Sequence, residues 1–506
     1  MEHFHISQLT KYKISEMDFQ KNLYQKMLPI ALLGFVLAAK PALSQSKIDW
    51  NDSLVVRQTA HFITAPRVKI LDDGTVVCVW GESSNPNQIL CSRLENNQFS
   101  IPISVVITDP GPVLFGFGGF DVAVHGQTIF VVFERLGGGI FISRSDDGGQ
   151  SFIPPFEVQG AVTGGFVTLA NIAVDELGNI FVNYIHGKNG EVTQQIRRSV
   201  DGGQNFSIAV DASQPADGTA VCECCVADPV AYNGSVWLAF RNNNANIRDH
   251  WVSRSANLAD TFDLATDVDN SDWQINFCPI SGPRMALAKD SLFVVWKTGA
   301  YGGSKIFASS LHATTMDFGQ QIRLGGPTQL SDNQNLPEIT ASGDTLGMVF
   351  QEDQSISFSF STNGLMGLNV QNTYFKEDGQ VLSYPSVAFQ NGVFFLVYVN
   401  STTQEIIYRQ GFLLPSLGTP TAEMLPETVI VFPNPTNEEV QIYIPGYLEG
   451  ASNWHVLSAT GKVELSGVFS GETNLEKIVT IRLISGIYQL IISGSVGILH
   501  GKFIKN

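Results

Sequence analysis

The stretch Ser145-Asp146-Asp147-Gly148-Gly149-Gln150-Ser151-Phe152 returns as Ser199-Val200-Asp201-Gly202-Gly203-Gln204-Asn205-Phe206, and no other feature constrains the fold as tightly. Both copies read Ser-x-Asp-x-Gly-x-x-Phe, and each is expected to lie between two short strands, the upstream ones being Gly139 to Arg144 and Gln194 to Arg198. A hairpin turn fits that pattern. Asp can accept from the turn's own N–H groups, Gly can take a positive φ, and Phe can fold back onto the sheet. Degenerate copies occupy the same slot at Ser255 to Phe262, with Asn257 for Asp, and at Ser361 to Gly364.

The turns punctuate a longer repeat from Asp52 to Leu413, in which a polar residue opens an apolar strand that is followed by a turn and a still more apolar strand. The opening strands begin at Arg67-Val68, Asp121-Val122, Asn171-Ile172, Pro229-Val230, Arg284-Met285, Glu338-Ile339 and Ser386-Val387, at gaps of 54, 50, 58, 55, 54 and 48 residues. That spacing suits the blades of a propeller. The second strands, from Val76 to Trp80 through Val393 to Val399, are near-continuous apolar runs, as expected where sheets stack and bury both faces. An early run, Ser53 to Phe62, has no unit of its own and is expected to complete the last blade and close the ring.

Composition agrees with a large all-β protein. The 506 residues are 44% hydrophobic and 15% charged, with 33 Phe and 47 Gly, which excludes a disordered chain. A formal charge of -17 argues against nucleic acid or an anionic membrane as partner. At the N-terminus, Lys21 and Lys26 precede the apolar run Met27 to Ala39, and Ala42-Leu43-Ser44 offers small residues for cleavage. This reads as an export signal within residues 1–44, too short for a membrane span, so none is expected in the mature protein.

The repeated turn resembles the Asp-box, or BNR repeat, of sialidase-like β-propellers. The resemblance implies an all-β propeller over residues 45–413, seven-bladed by the count above, or six-bladed as in familiar sialidases if one unit is an insertion. It places the box residues Ser145, Asp147, Gly149, Phe152, Ser199, Asp201, Gly203 and Phe206 on outer loops with a structural duty. The polar residues that open the inner strands, Arg67, Asp121, Asn171, Asp228, Arg284, Glu338 and Ser386, are expected to face a central channel, with Tyr384 nearby. From the ends of the second strands come Glu82, Glu134, His186, Arg241, Lys297 and Gln351, either on the same face or on the opposite one.

Sialidases hold a substrate carboxylate with three arginines, protonate with a carboxylic acid, and attack with a Tyr activated by Glu. A permanently charged guanidinium fork suits a planar carboxylate. Carried over by position, Arg67, Arg241 and Arg284 form the clamp, Asp121 or Glu134 is the acid, and Tyr384 with Glu338 is the nucleophile pair. This chain departs from the family where sialidases read Arg-Ile-Pro, since it reads Ala65-Pro66-Arg67-Val68. No P-loop, dinucleotide fingerprint or His-Glu-x-x-His motif occurs, and no cofactor or metal is expected from motifs.

Residues 414–427 lack apolar periodicity and read as a linker. Beyond them, Val431-Phe432-Pro433-Asn434-Pro435-Thr436, Val440 to Ile444, Ser458 to Lys462, Ser485 to Leu490 and Gly501 to Lys505 lay out a small β-sandwich over 428–506. This set resembles the C-terminal sorting domain of type IX secretion cargo from Bacteroidota, over roughly the last 75 residues. The resemblance implies the type IX secretion machinery as partner and a secreted or outer-surface location.

Six cysteines in an exported chain suggest disulfides. Cys78 and Cys91 flank one hairpin and are candidate cross-strand partners. Cys222, Cys224, Cys225 and Cys278 precede adjacent units and are expected to meet, either as disulfides or as a thiolate metal site. Two functions stay open: a sialidase-type hydrolase acting on glycans, or a non-catalytic propeller that binds a glycan or a surface protein. A closed ring leaves no free sheet edge, so a monomer is expected.

Overall fold

A computed structural model describes residues 47–506, apart from 107–109, 117, 217–219, 326–332, 366, 369–371, 415–428, 444–451, 459–461, 470–474 and 495–496. The export signal and residues 415–427 of the expected linker 414–427 lie outside the described residues, whereas Leu414 is the last residue of a strand, Glu405–Leu414, rather than linker, because it pairs with Lys47. Two compact units are found, one of them Lys47–Leu414.

Within Lys47–Leu414 the described residues form seven antiparallel sheets of four or five strands. Their innermost strands are Phe62–Ile70, Phe120–His125, Gly165–Val174, Asp228–Tyr232, Arg284–Ala288, Gln334–Ser342 and Leu382–Gln390. Each touches the next, and the last touches the first, so the strands circle one axis. Lys47–Trp50 and Leu54–Gln58 both pair with Glu405–Leu414 of the seventh sheet, while Phe62 belongs to the first. The ring therefore closes by hydrogen bonds between the two ends of the unit, which leaves no gap between first and last sheets.

Alternation along each strand fills the spaces between sheets. Val77, Val79 and Cys91 face the second sheet with Phe120, Val122 and Phe133, whereas Cys78 and Trp80 face the seventh with Phe395, Val397 and Tyr408. This corrects one expectation. Cys78 pairs in register with Ser92, and Cys91 with Val79, so the two thiols point to opposite faces and remain free and buried. Burial pushes the Cys91 thiol up to about 12.

The repeated turns fold alike. In the first, Asp147 Oδ1 accepts from Ser145 Oγ at 2.8 Å and from the N–H groups of Gln150 and Ser151 at 2.9 Å, while Gly149 N–H donates to Ser145 Oγ. Asp201 repeats the pattern with Ser199, Gln204 and Asn205, and Asn257 does so with Ser255 and Thr261. Phe152 and Phe262 are buried between sheets. An arginine from the preceding sheet docks each of these three turns: Arg93 Nη1 donates to the Asp147 carbonyl, Arg144 to that of Gly202 and Arg198 to that of Leu258. Arg254 likewise reaches the Thr314 carbonyl in the turn between the last two strands of the fifth sheet. The boxes thus join neighbouring sheets at the outer rim.

In the C-terminal unit a three-stranded sheet (Ile430–Phe432, Glu439–Tyr443, Leu475–Val479) and a four-stranded sheet (Ser452–Ser458, Val463–Phe469, Gly486–Gly494, Gly497–Lys505) share one core. Val431, Val440 and Ile478 meet Val456, Leu490 and Phe503 there. Asn434 of the Pro-Asn-Pro segment pins the final strand, donating to the Lys502 carbonyl and accepting from Ile504 N–H.

Candidate functional site at the propeller axis

The seven polar residues that open the inner strands occupy matching register positions, each paired with a residue of its second strand: Arg67 with Val79, Asp121 with Val132, Asn171 with Asn183, Asp228 with Ala239, Arg284 with Val295, Glu338 with Val349 and Ser386 with Val397. Part of this belt is structural. Asp121 Oδ2 accepts from Ile172 N–H at 3.1 Å, Asp228 Oδ2 from Met285 N–H at 2.6 Å, and Ser386 Oγ from Val68 N–H at 3.3 Å. Each bond runs from one sheet to the next, so these side chains replace the ladder that separate sheets lack.

Charges concentrate on the same belt. Glu338 Oε1 lies 3.1 Å from Arg67 Nη1 and 3.0 Å from Arg284 Nε. Asp121 stands 3.8 Å from Arg67, and Asp228 stands 3.7 Å from Arg284. Burial works to raise the Glu338 carboxyl, but the charges of Arg284 and Arg67 hold it below its ordinary value. Asp228 goes the other way. Desolvation, with Asp121 and Glu338 adding repulsion, outweighs Arg284 and lifts it to about 7. With Lys69 also contributing to Glu338, the cations and the carboxylates answer one another within the protein.

A cleft opens above the belt, lined by Arg67, Arg284, Glu338, Tyr384, Pro337 and Pro385 among others. Bulges in the inner strands shift the register between Thr64 and Arg67, Thr168 and Asn171, Asn335 and Glu338, and Ser383 and Ser386, and Ala65, Leu336 and Tyr384 of three of them line the cleft. Ala65, Leu169, Leu336 and Tyr384 stand at positive φ in these bulges, each two residues before its axial neighbour. Such bulges re-aim side chains at a rim. Burial raises the Tyr384 hydroxyl, and its ring meets Phe62 edge-on at 6.4 Å.

Arg241 does not join this group. Its guanidinium is buried and donates to three backbone carbonyls, those of Ser281 at 3.1 Å, Arg248 at 2.6 Å and Lys297 at 2.6 Å. The structure thus brings Arg67, Arg284, Asp121, Glu338 and Tyr384 toward one axis and turns Arg241 into a loop anchor. Among the second-strand ends, antiparallel pairing sets them on the face where the inner strands begin. Glu134 accepts from Thr168 at 2.6 Å, and Glu82 binds Arg57 at 2.7 Å. Asp228, which the carried-over roles passed over, holds the most displaced carboxyl of the belt. Its place at the head of an inner strand was the only sequence signal for it.

Residues 430–506 match the family described as secretion system C-terminal sorting domain. No curated protein matches the sequence. Solved structures of low identity also match the chain. A protein of unknown function from Dyadobacter fermentans is 14% identical, with 72% of this chain and 99% of that chain covered and a TM-score of 0.42. A variant of the NanB sialidase from Streptococcus pneumoniae is 12% identical, with 64% and 70% covered and a TM-score of 0.40. An α-L-arabinanase from Penicillium chrysogenum, solved with arabinobiose, is 10% identical, with 72% and 98% covered and a TM-score of 0.40. No helix among the described residues is long and apolar enough to cross a membrane. The chain is a secreted or outer-surface protein in which a ring of seven antiparallel sheets is exported by way of a type IX C-terminal sorting domain.

Proposed function

We propose that the ring is a non-hydrolytic carbohydrate-binding module whose axial cleft receives an uncharged sugar. The observation that carries this reading is the double ion pair of Glu338 with Arg67 and Arg284. Both guanidinium groups are already engaged by carboxylates of the protein, and Arg241 is committed to carbonyls. A ligand carboxylate would have to compete with Glu338, Asp121 and Asp228 for both guanidinium groups. A neutral sugar needs no unpaired clamp, because its hydroxyls can donate to Glu338 and accept from the arginines while Tyr384 and the two prolines present apolar faces.

An exo-α-sialidase keeps one supporting observation, the Asp228 carboxyl near 7, a value suited to proton transfer at neutral pH. The test separates the two. Purified protein is expected to release no fluorophore from an α-linked sialoside and to bind members of a panel of neutral oligosaccharides, with binding weakened about tenfold or more in Tyr384→Ala. Sialoside turnover that disappears in Asp228→Asn overturns the binding reading.

A further inference from the structure

Four sulfurs meet beside the cleft. Cys222, Cys224 and Cys225 lie in the turn before the inner strand of the fourth sheet and Cys278 in the loop before that of the fifth, and their Sγ atoms all fall within 4.8 Å of one another. Cys224 and Cys278 are joined as a disulfide, whereas Cys222 and Cys225 are buried thiols. Sγ of Cys222 stands 3.8 Å from Sγ of Cys224. A tetrahedral ion with metal–sulfur bonds of about 2.3 Å sets its sulfurs about 3.8 Å apart. Cys222 and Cys224 already stand at that separation.

The surroundings are cationic. Arg248, itself buried, donates from Nη1 to Cys222 Sγ at 3.1 Å, with only the exposed Glu223 as a carboxylate partner at 3.4 Å. Arg241 and Lys297 are buried nearby, bound to carbonyls, and neither forms an ion pair among the described residues. Beyond Glu223 and the buried Asp269 carboxyl, which the Arg241 charge acts on, four neutral sulfurs give these charges nothing more to answer. Four thiolates around a divalent ion carry two net negative charges, and around a monovalent ion three, so the pocket is electrostatically suited to a thiolate complex.

We propose that Cys222, Cys224, Cys225 and Cys278 form a tetrathiolate site for a soft or borderline d10 cation, Zn(II) or Cu(I), which staples two loops into one wall of the axial cleft. The wall follows directly from the ligands, since Val226 adjoins Cys225 and Ile280, Ser281 and Gly282 follow Cys278, and all four line the cleft. Gly282 packs so tightly on the Val226 carbonyl that a Cβ there would overlap it. The ion and the Cys224–Cys278 bridge exclude one another. A dithiol reductant passes two electrons and two protons to the bridge, becoming a disulfide itself and leaving two thiols, and the incoming ion then displaces the thiol protons to solvent.

The full chain, reduced with a dithiol and desalted without air, is to be titrated with Zn(II) in one arm and Cu(I) in another. Bound metal is measured by mass spectrometry and free thiols by alkylation of the folded protein. The expected result is one ion per chain in at least one arm, with the four cluster sulfurs shielded from alkylation. Arg248→Gln, which keeps every sulfur, is expected to weaken binding about tenfold, and Cys225→Ser more. The proposal is overturned by any of three results: no uptake by the reduced chain, uptake unchanged in both variants, or cluster thiols alkylated equally with and without the ion. A secreted protein isolated with a second bridge between Cys222 and Cys225 and refusing metal after reduction counts against it as well. Because shielding is read on the unaltered chain, a variant that fails to fold leaves the test decisive.

Discussion

One carboxylate oxygen of Glu338 bonds both Arg67 and Arg284, linking the first, fifth and sixth sheets of the ring across the axis. Removing that charge leaves two guanidinium groups facing each other in a poorly solvated channel. Glu338→Gln is expected to destabilise the protein by about 3 kcal/mol, since breaking a buried pair strands its partner. Urea unfolding measures the loss. A change below about 0.5 kcal/mol means the pair adds nothing to stability and frees the arginines for a ligand.

Asp228 shows the reverse linkage. Its carboxyl is raised to about 7 in the folded protein, against about 3.9 in an unfolded chain, so the native state binds the extra proton between those values. Stability from this group therefore falls as pH rises from about 4 to about 7. Asp228→Asn cannot ionise and still accepts from Met285 N–H, so it is expected to gain on the parent over that window. Thermal melts of both proteins at pH 5 and pH 8 check it, and a difference that does not widen at the higher pH rejects the assignment.

Arg57 and Glu82 hold the ring shut. Arg57 belongs to the strand that completes the seventh sheet, and its Nε lies 2.7 Å from Oε1 of Glu82 on the first, which also accepts from Trp80 Nε1 at 3.0 Å. Burial raises the Glu82 carboxyl, but the bonds from Arg57 and Trp80 and the charge of Arg57 bring it below its ordinary value. That stabilisation is complete above the unfolded value near 4.3 and disappears as pH falls through the lower folded value. Glu82→Gln is expected to cost about 1–3 kcal/mol at pH 7 and to unfold no more readily than the parent at low pH. Equal losses at both pH values separate the effect from the carboxylate's charge.

The rim turns make an acid-sensitive contribution of the same sign. Burial opposes it, yet hydrogen bonds from Ser151, Ser145 and Gln150 hold Asp147 down to about 2, and bonds led by Asn205 do so for Asp201. The stabilisation is therefore complete above about 3.9 and is expected to be lost as pH falls through about 2, where protonation loosens both turns. Ser145→Ala strips the fully buried hydroxyl that joins Asp147 to Gly149 N–H and is expected to cost about 1–3 kcal/mol. Hydrogen exchange at Gly149 is the direct readout, and unchanged protection there contradicts the role given to Ser145.

Much of this architecture was legible in the chain. A period near 54 residues with apolar runs on both faces fixes stacked sheets, because only burial on two sides tolerates such strands in an exported protein. The Ser-x-Asp-x-Gly-x-x-Phe turns were equally readable, since their bonds run between near neighbours. The arginines that dock them were not. Arg144 and Gly202 are 58 residues apart, and nothing local in either reveals the other. The polar heads of the inner strands were recognisable as an axial belt, but not their partners. Arg241 and Arg284 look equivalent as arginines at strand ends, and only the packed loops decide that one meets carbonyls and the other carboxylates. Cys78 and Cys91 likewise look pairable by spacing until strand register sends them to opposite faces. Sequence determines periodicity and local turns because these depend on short-range hydrogen bonding and alternation. The meeting of Cys222, Cys224, Cys225 and Cys278 was readable from their places before adjacent units, but which charges neutralise one another is a property of the closed ring, where residues hundreds of positions apart share one axis.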